Sequence, residues 1–590
     1  MGDDSANGER RDGKIGRRRY LRSVAAATAG GGLASMLADR PIARPVEARP
    51  AMDATLAVDD SRDPTAVFPQ AVMSGGPTDR GVILWTRVAP AVLTDGVPLG
   101  VEVATDEAFE DVVFRGAVPA ERITPSRDHT VKVDLDGELA SNARYHYRFV
   151  YDGTPSQTGR CRTLPASDDD VGELSFAVLA CQDYQNGYYG AYHHVAESDV
   201  DFLVHLGDFI YESANGAYTA PNRPIPEDRN FELPSGKPLA ETLEDFRFLY
   251  RTYKSDPLMQ EGLAAHTLIA GWDDHEIANN RYWDYAADAP VLPDKADGND
   301  PEFALELTAN GIQAWVEHVP ARVEYDPSAT DLHEQFRLSR TVEFGDLAEF
   351  VVTDERLFRD GPACPGERLS CGREDAQDRT MLGERQKEWW KSRMSESTAT
   401  WTVWLNEVLT LPLTLGTGSY QVEILQDSWD GFQAERYELM QHLAAEGPDN
   451  VIALTGDLHC SLAGYMESHY GEVGNGKSGR VGVELVTPAV SSLTADSLLD
   501  FSTPWDSEAL NDLATAQNGH IQFMDWYRNG YSVVTFTDDE CRYTAYEVDA
   551  TTDSADAERS KLAEYRVPAG DVELDEQYNR FEENLGSGWF

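Results

Sequence analysis

The stretch VLACQDYQNGYYGAY, residues 178–192, decides the fold. It closes an apolar run, LSFAVLAC, of the length and composition of a buried strand. The run ends on Cys181 and Asp183, spaced C-x-D. A disulfide, a buried thiol and a metal ligand are all consistent with that pair alone. Outward from it, the same pattern recurs in DFLVHLGD, TLIAGWDD, AEFVVTDE, TWTVWLNE, NVIALTGDLH and VGVELVTPAV, with helix-like segments at 239–263, 302–318, 382–395 and 431–445 between them. Apolar strands alternating with helices predict a layered α/β domain. Most of the strands end in polar, ligand-type residues: Cys181 and Asp183, Asp208, Asp273 to Glu276, Asp354, Asn406, Asp457 and His459. The carboxyl ends of strands in an open α/β sheet line the ligand crevice. Carboxylates gathered there repel one another unless cations hold them. A metal site is the economical reading, and it makes Cys181 and Asp183 ligands.

The chain has 590 residues, 41% of them hydrophobic, enough for at least two domains. Residues 1–40 read as a twin-arginine signal segment: GRRRYLRS supplies Arg17, Arg18, Arg19, Tyr20, Leu21 and Arg22 ahead of a mild Ala/Gly-rich stretch. Residues 41–65 are a Pro/Ala/Arg/Asp-rich linker. Over 66–166, short β patterns such as GVILWTRV and ARYHYRFVYDG predict a small Ig/fibronectin-like β-sandwich. Within it Asp128 and His129 read as turn residues. The catalytic domain is expected over 167–550 and a C-terminal acidic extension over 551–590.

Charge restricts the partners. Acidic residues number 102 against 50 basic ones, of which nine are lysine, for a net charge of −52. The acids are spread along the chain, which fits a halophilic surface built for strong screening. Such a surface repels nucleic acid. No run of 18 apolar residues follows the N-terminus, so a stable membrane span is not expected in the mature form. The expected location is extracellular or at the cell surface, reached through the twin-arginine export machinery. Of six cysteines, Cys364 and Cys371 bracket the loop CPGERLSC and are the disulfide candidates.

Four blocks carry the chemistry: C-x-D at 181–183, G-D-x-x-Y at 207–211, W-D-D-H-E at 272–276 and G-D-x-H at 456–459. Their order resembles the metallophosphoesterase superfamily, with specific departures. Tyr211 stands in place of an acid, Asp274 in place of an asparagine, and Asp457 in place of a histidine. With CQDYQNGYYGAY, FGDLAEFVVTDERLFR, RTMLGERQKEWW and VMSGGPTDRGVILWTRV, they resemble the alkaline phosphatase D family over most of residues 66–550. The resemblance implies a four-layer metallophosphoesterase-like α/β sandwich behind the N-terminal β domain.

It also implies a metal-dependent phosphoesterase, exported if the twin-arginine pattern is read with it, in which a metal-bound hydroxide attacks phosphorus in line with the departing alcohol. Thiolate and phenolate donors suit Fe(III), and oxygen donors suit Ca2+ or another hard divalent ion. By resemblance Cys181, Asp208, Tyr211, Asp457 and His459 hold iron, with Asp208 bridging, while Asp183, Asp274 and Asn279 serve calcium. His275 stabilises the transferring group or protonates the leaving oxygen. Arg356, like Asp354, orients ligands or contacts phosphate. Segments 213–240 and 285–302 are long Pro/Asp-rich insertions expected as lids over the substrate. The alternatives are a phosphodiesterase or phospholipase D-like hydrolase using the same metals, and a non-catalytic phosphate- or metal-binding surface protein.

Overall fold

Two mixed sheets carry the strands that the apolar runs predict. The computed structural model describes residues 49–50, 56–59, 61–219, 224–364, 372–416, 422–423, 425–470, 479–494 and 504–581. The twin-arginine segment lies outside them. So does Cys371, while Cys364 is disulfide-bonded. The first sheet has ten strands, and Glu173–Leu179, Phe202–His205 and Thr267–Ala270 run parallel at its centre. The second has seven, with Ala348–Val352, Trp401–Asn406, Val451–Thr455 and Arg480–Val486 parallel. Almost every residue of these strands is buried, as expected of parallel strands covered on both faces. The sheets meet through an aromatic seam. Phe176 lies 5.1 Å from Phe344 and 4.8 Å from Phe350, and Phe202 lies 5.3 Å from Phe344.

Helix boundaries follow local chemistry. The expected segment 239–263 is two helices, Leu243–Tyr253 and Pro257–Ala265. Thr242 and Asp245 form a capping box on the first, and Asp256 caps the second ahead of Pro257, which opens a helix but cannot continue one. Asp300 and Pro301 start Pro301–His318 in the same way.

Residues 66–166 divide between two sheets. Val72–Thr78, Gly81–Arg87 and Thr130–Asp134 extend the ten-stranded sheet, because Val72–Thr78 pairs in parallel with Thr267–Ala270. The five remaining strands, among them Leu99–Ala104, Val112–Val118 and Arg144–Tyr151, form a six-stranded sheet with Arg49–Pro50, which comes from the expected linker and pairs with Val112–Val118. The expected boundary at 166 therefore falls beside a sheet that residues from both sides build. The expected acidic extension also begins inside that sheet: Arg559–Pro568 and Asp575–Asn579 pair onto its edge. In Arg559–Pro568 buried Leu562, Ala563, Tyr565 and Val567 seat the strand, and charged neighbours face outward. Among the described residues no helix is long and apolar enough to cross a membrane.

Candidate metal centre

The ligand-type residues converge where the parallel strands of both sheets end. Cys181 and Asp183 follow Glu173–Leu179, Asp208 and Tyr211 follow Phe202–His205, and the Asp273–Glu276 run follows Thr267–Ala270. From the second sheet, Arg356 follows Ala348–Val352, and Asp457 and His459 follow Val451–Thr455. Each chain turns sharply as it leaves its strand. Cys181, Asp208, Asp457 and His459 sit in the left-handed region at φ 56°, 56°, 58° and 54°. Gly207 (φ 133°) leaves room there, since a Cβ on it would lie 2.5 Å from Asp273 Cβ.

Three overlapping sets of donor atoms result, each within 4.8 Å of one another: Cys181, Asp208 and His459; Asp208, Asp274 and His275; Asp273, Asp274 and Asp457. Asp208 and Asp274 each belong to two sets, so the donors form one continuous run. Tyr211 joins the first, its hydroxyl 2.9 Å from Asp208 Oδ2 and 3.2 Å from His459 Nε2. The Asp183 carboxylate belongs to none of the three sets, yet its Oδ2 is buried with no hydrogen-bond partner. Asp457 and His459 are half-buried while the other donors are buried, so the crevice opens on their side.

Burial and mutual repulsion govern the protonation of these groups. Burial, with the neighbouring carboxylates, pushes Asp273 far above the usual carboxylate range against the pull of Arg356, and does the same to Asp208 against that of His275. Burial lifts Asp183 and Asp457 to about 6 and Glu276 to about 7. Asp274 is the exception: burial works against it, but Arg356 and His275 outweigh burial and hold it at about 2. The Cys181 thiol is pushed well up by burial and by the carboxylates around it. A buried run of carboxylates, a thiol, a phenol and an imidazole is a donor set suited to a hard cation beside a more polarisable one. The residues present therefore fit metal ions.

Several residues act on the donors rather than among them. Arg356 is fully buried and bonded to Asp273 and Asp457, with Nη1 3.4 Å from Asp274 Oδ2. Its guanidinium thus faces three carboxylates of the run at once. Asp354 accepts the N–H groups of Arg356 (3.0 Å) and Leu357 (2.7 Å), which shapes the turn that delivers Arg356. Glu276 accepts from the N–H groups of Asp208 (3.2 Å), Phe209 (2.7 Å) and Asp273 (2.8 Å), tying two strand ends together. Its place inside W-D-D-H-E was the available signal.

Asn279 is the remaining residue expected to serve calcium. Its side-chain amide donates to Asp294 Oδ2 (2.7 Å), and the N–H that meets Asp274 Oδ2 (2.6 Å) is that of Asn280. A left-handed turn at Asn280, φ 55°, separates the two. His275 has its Nδ1 2.7 Å from Glu212 Oε2, a partner to which the sequence pattern assigned no role. The imidazole is driven toward its protonated form by Glu212, Asp208 and Asp274, against burial. Its ring stacks on Tyr211 at 4.0 Å.

Comparison with known proteins gives a consistent picture. The family model described as PhoD-like phosphatase matches residues 176–545, and its N-terminal domain model matches 53–165. Alkaline phosphatase D of Bacillus subtilis (strain 168) is 33% identical over 477 residues, 80% of this chain and 76% of that protein. A solved structure of PhoD superposes with a TM-score of 0.75 at 29% identity, covering 88% of this chain and 93% of that one. A purple acid phosphatase from yellow lupin seeds follows at 13% identity and a TM-score of 0.44, covering 86% and 74%, a likeness too slight to argue from.

Proposed function

We propose, from the premise that the chain belongs to the PhoD-like phosphatase family and is a phosphoric ester hydrolase, that it is an exported, cation-dependent phosphatase acting at the crevice described above. The observation that carries this reading is the run of buried carboxylates around Asp208, which repels a phosphate ester unless cations lie between them. Cys181, Asp208, Tyr211, Asp457 and His459 would hold Fe(III), and Asp183 and Asp274, with Asp273 beside them, would hold Ca2+. Such cations supply the Lewis-acid charge that draws in phosphate and activates water as the nucleophile.

The chain's own groups do the rest. Asp208 belongs to two donor sets and so fixes their spacing. Arg356 holds Asp273, Asp274 and Asp457 against mutual repulsion. His275, bonded through Nδ1 to Glu212, has Nε2 for the ester's leaving oxygen and can donate its proton there. His459 is oriented by the Leu493 carbonyl at its Nδ1, which leaves Nε2 for the crevice.

The same proposal includes the four-layer α/β arrangement behind an Ig/fibronectin-like sandwich, supported by the aromatic seam between the two large sheets. Export rests on the arginine-rich pattern at 17–22, and the high-salt surface on the charge of −52. The test is hydrolysis of 4-nitrophenyl phosphate by the purified protein in molar salt. Strong chelation should abolish it, Fe(III) with Ca2+ should restore it, and His459→Ala should be inactive but folded. Full activity after exhaustive chelation would refute the proposal.

A further inference from the structure

A hydrogen-bonded chain outside the donor run ends on His275. Glu212, fully buried, receives the imidazole Nδ1–H at Oε2 (2.7 Å). Its other oxygen, Oε1, accepts from the backbone N–H of Asn279 (2.8 Å) and lies 3.0 Å from the Tyr218 hydroxyl. That hydroxyl also lies 2.9 Å from Asp294 Oδ2, which accepts the Asn279 side-chain amide at 2.7 Å. Tyr218 and Asn279 thus both span the gap between Glu212 and Asp294. The Tyr218 ring sits edge-on to the imidazole at 4.7 Å and 6.2 Å from the Tyr211 ring that stacks on it.

Tyr218 comes from the first insertion, 213–240, and Asp294 from the second, 285–302. The insertions are buckled to each other by Lys295, whose buried ammonium donates to the Ala240 carbonyl (2.8 Å). The first is pinned to the body by Arg229, buried against Tyr184, Tyr188 and Tyr189 and bonded to Asp256. These segments, expected as lids, are anchored beside the His275 imidazole.

We propose that Glu212 and Tyr218 are positioning residues for His275, with Asp294 as the post that holds them from the second insertion. The proposal rests on the reading above that His275 serves the leaving oxygen. A carboxylate on Nδ1 keeps that nitrogen protonated and aims Nε2 at the ester, and the two rings prevent the imidazole from rotating. When the phosphorus–oxygen bond breaks, its electron pair stays on the departing oxygen, which takes the proton from Nε2. One water is consumed: its oxygen goes to phosphorus and one of its protons returns to His275. A leaving group that is a poor anion, such as an alkyl alcohol, needs that proton, whereas nitrophenolate scarcely does.

The experiment uses the metal-loaded full chain with two substrates, ethyl phosphate and 4-nitrophenyl phosphate. Tyr218→Phe, which keeps the ring, should lower kcat for ethyl phosphate about 10-fold with KM unchanged, and lower it only slightly for the nitrophenyl ester. Glu212→Gln should show the same bias with a loss of about 100-fold, toward the low end for a general acid. Asp294→Ala should match Tyr218→Phe, and the double variant should be no worse than either single, as residues in one path behave. Equal losses on both esters, a change confined to KM, or additive losses would overturn the proposal. His275→Ala separates the two failures. If it discriminates between the esters and the Glu212 and Tyr218 variants do not, only the positioning role is lost. If it leaves both rates intact, the reading of the site fails, and the positioning role with it.

Discussion

Tyr211→Phe tests the metal centre with the least collateral change. The Tyr211 ring is buried and stacked on His275 at 4.0 Å, and phenylalanine preserves both features. Only the oxygen is lost, the atom 2.9 Å from Asp208 Oδ2 and 3.2 Å from His459 Nε2. If that hydroxyl does no more than satisfy Asp208, its removal costs one hydrogen bond to a carboxylate, about 1.5–3 kcal/mol. That cost would be the same with and without metal, and turnover would survive. If the oxygen is a ligand, metal affinity falls as well. A loss of 10–100-fold corresponds to an additional ~1.4–2.7 kcal/mol in the metal-loaded protein alone. The assay is the unfolding free energy of wild type and variant, each stripped and metal-loaded, with iron content and the visible spectrum of the loaded forms. A phenolate on Fe(III) absorbs visible light by charge transfer, so the variant should lose both iron and colour. Equal deficits in the two states, with iron content and spectrum unchanged, would reduce Tyr211 to a packed aromatic and refute the ligand assignment.

Two further outcomes are expected. Asp128 accepts from Arg87 (Nε and Nη2, each 3.1 Å) and Arg251 (2.8 Å) and lies 3.3 Å from His318 Nε2, joining the N-terminal strands to the catalytic helices. Asparagine tolerates its left-handed backbone (φ 48°), so Asp128→Asn removes charge alone and should cost about 3–5 kcal/mol at neutral pH. His318 and Arg87 hold this carboxyl below its ordinary range despite burial. Its contribution is therefore full above the unfolded value of about 3.9 and declines as pH falls below it. The gap between wild type and variant in denaturant unfolding should be constant from pH 8 to 5 and narrow below about pH 4; a gap that widened in acid would contradict this account. Separately, raising salt from about 0.1 to about 1 M shortens the screening length from about 10 to about 3 Å. The melting temperature of this −52 chain should rise by several degrees; a flat or falling curve would count against the high-salt surface.

The parts of the fold legible in the sequence were those set by local pattern. Buried parallel strands are short, uniform apolar runs, and polar residues stood at their ends, so Cys181, Asp208, Asp457 and His459 could be picked out before their neighbours were known. The strands of 66–166 were readable as strands, but their sharing between two sheets was not. That depends on Ser74 and Gly75 pairing with Thr267 and Leu268, nearly two hundred residues away. Asn279 and Asn280 are indistinguishable by type, and only the left-handed turn at Asn280 decides which of them meets Asp274. Glu212 was hidden for a similar reason: its partners, His275, Tyr218, Asn279 and Asp294, come from separate segments that only the folded chain brings together.

The left-handed residues explain why the donor run can be so dense. A ligand side chain on a strand points to one face or the other, and donors from neighbouring strands cannot crowd one point. A single left-handed residue past the last pair bends the chain and throws its side chain over the sheet's edge. Cys181, Asp208, Asp457 and His459 all do this, at about 1–2 kcal/mol each for a non-glycine residue. Glycine would relieve that cost but carries no ligand atom. The strain is held in place by bonds across the strand ends: Cys181 N–H to the Gly207 carbonyl (3.2 Å), Gln182 N–H to that of Asp208 (3.1 Å), and Ser492 N–H to that of Cys181 (3.2 Å). Strained backbone and mutually repelling carboxylates thus occupy the same few residues, and a bound cation relieves the repulsion only while the turns hold. If the donor run loads metal as proposed, folding of the strand ends and loading would be one coupled equilibrium, in which each stabilises the other.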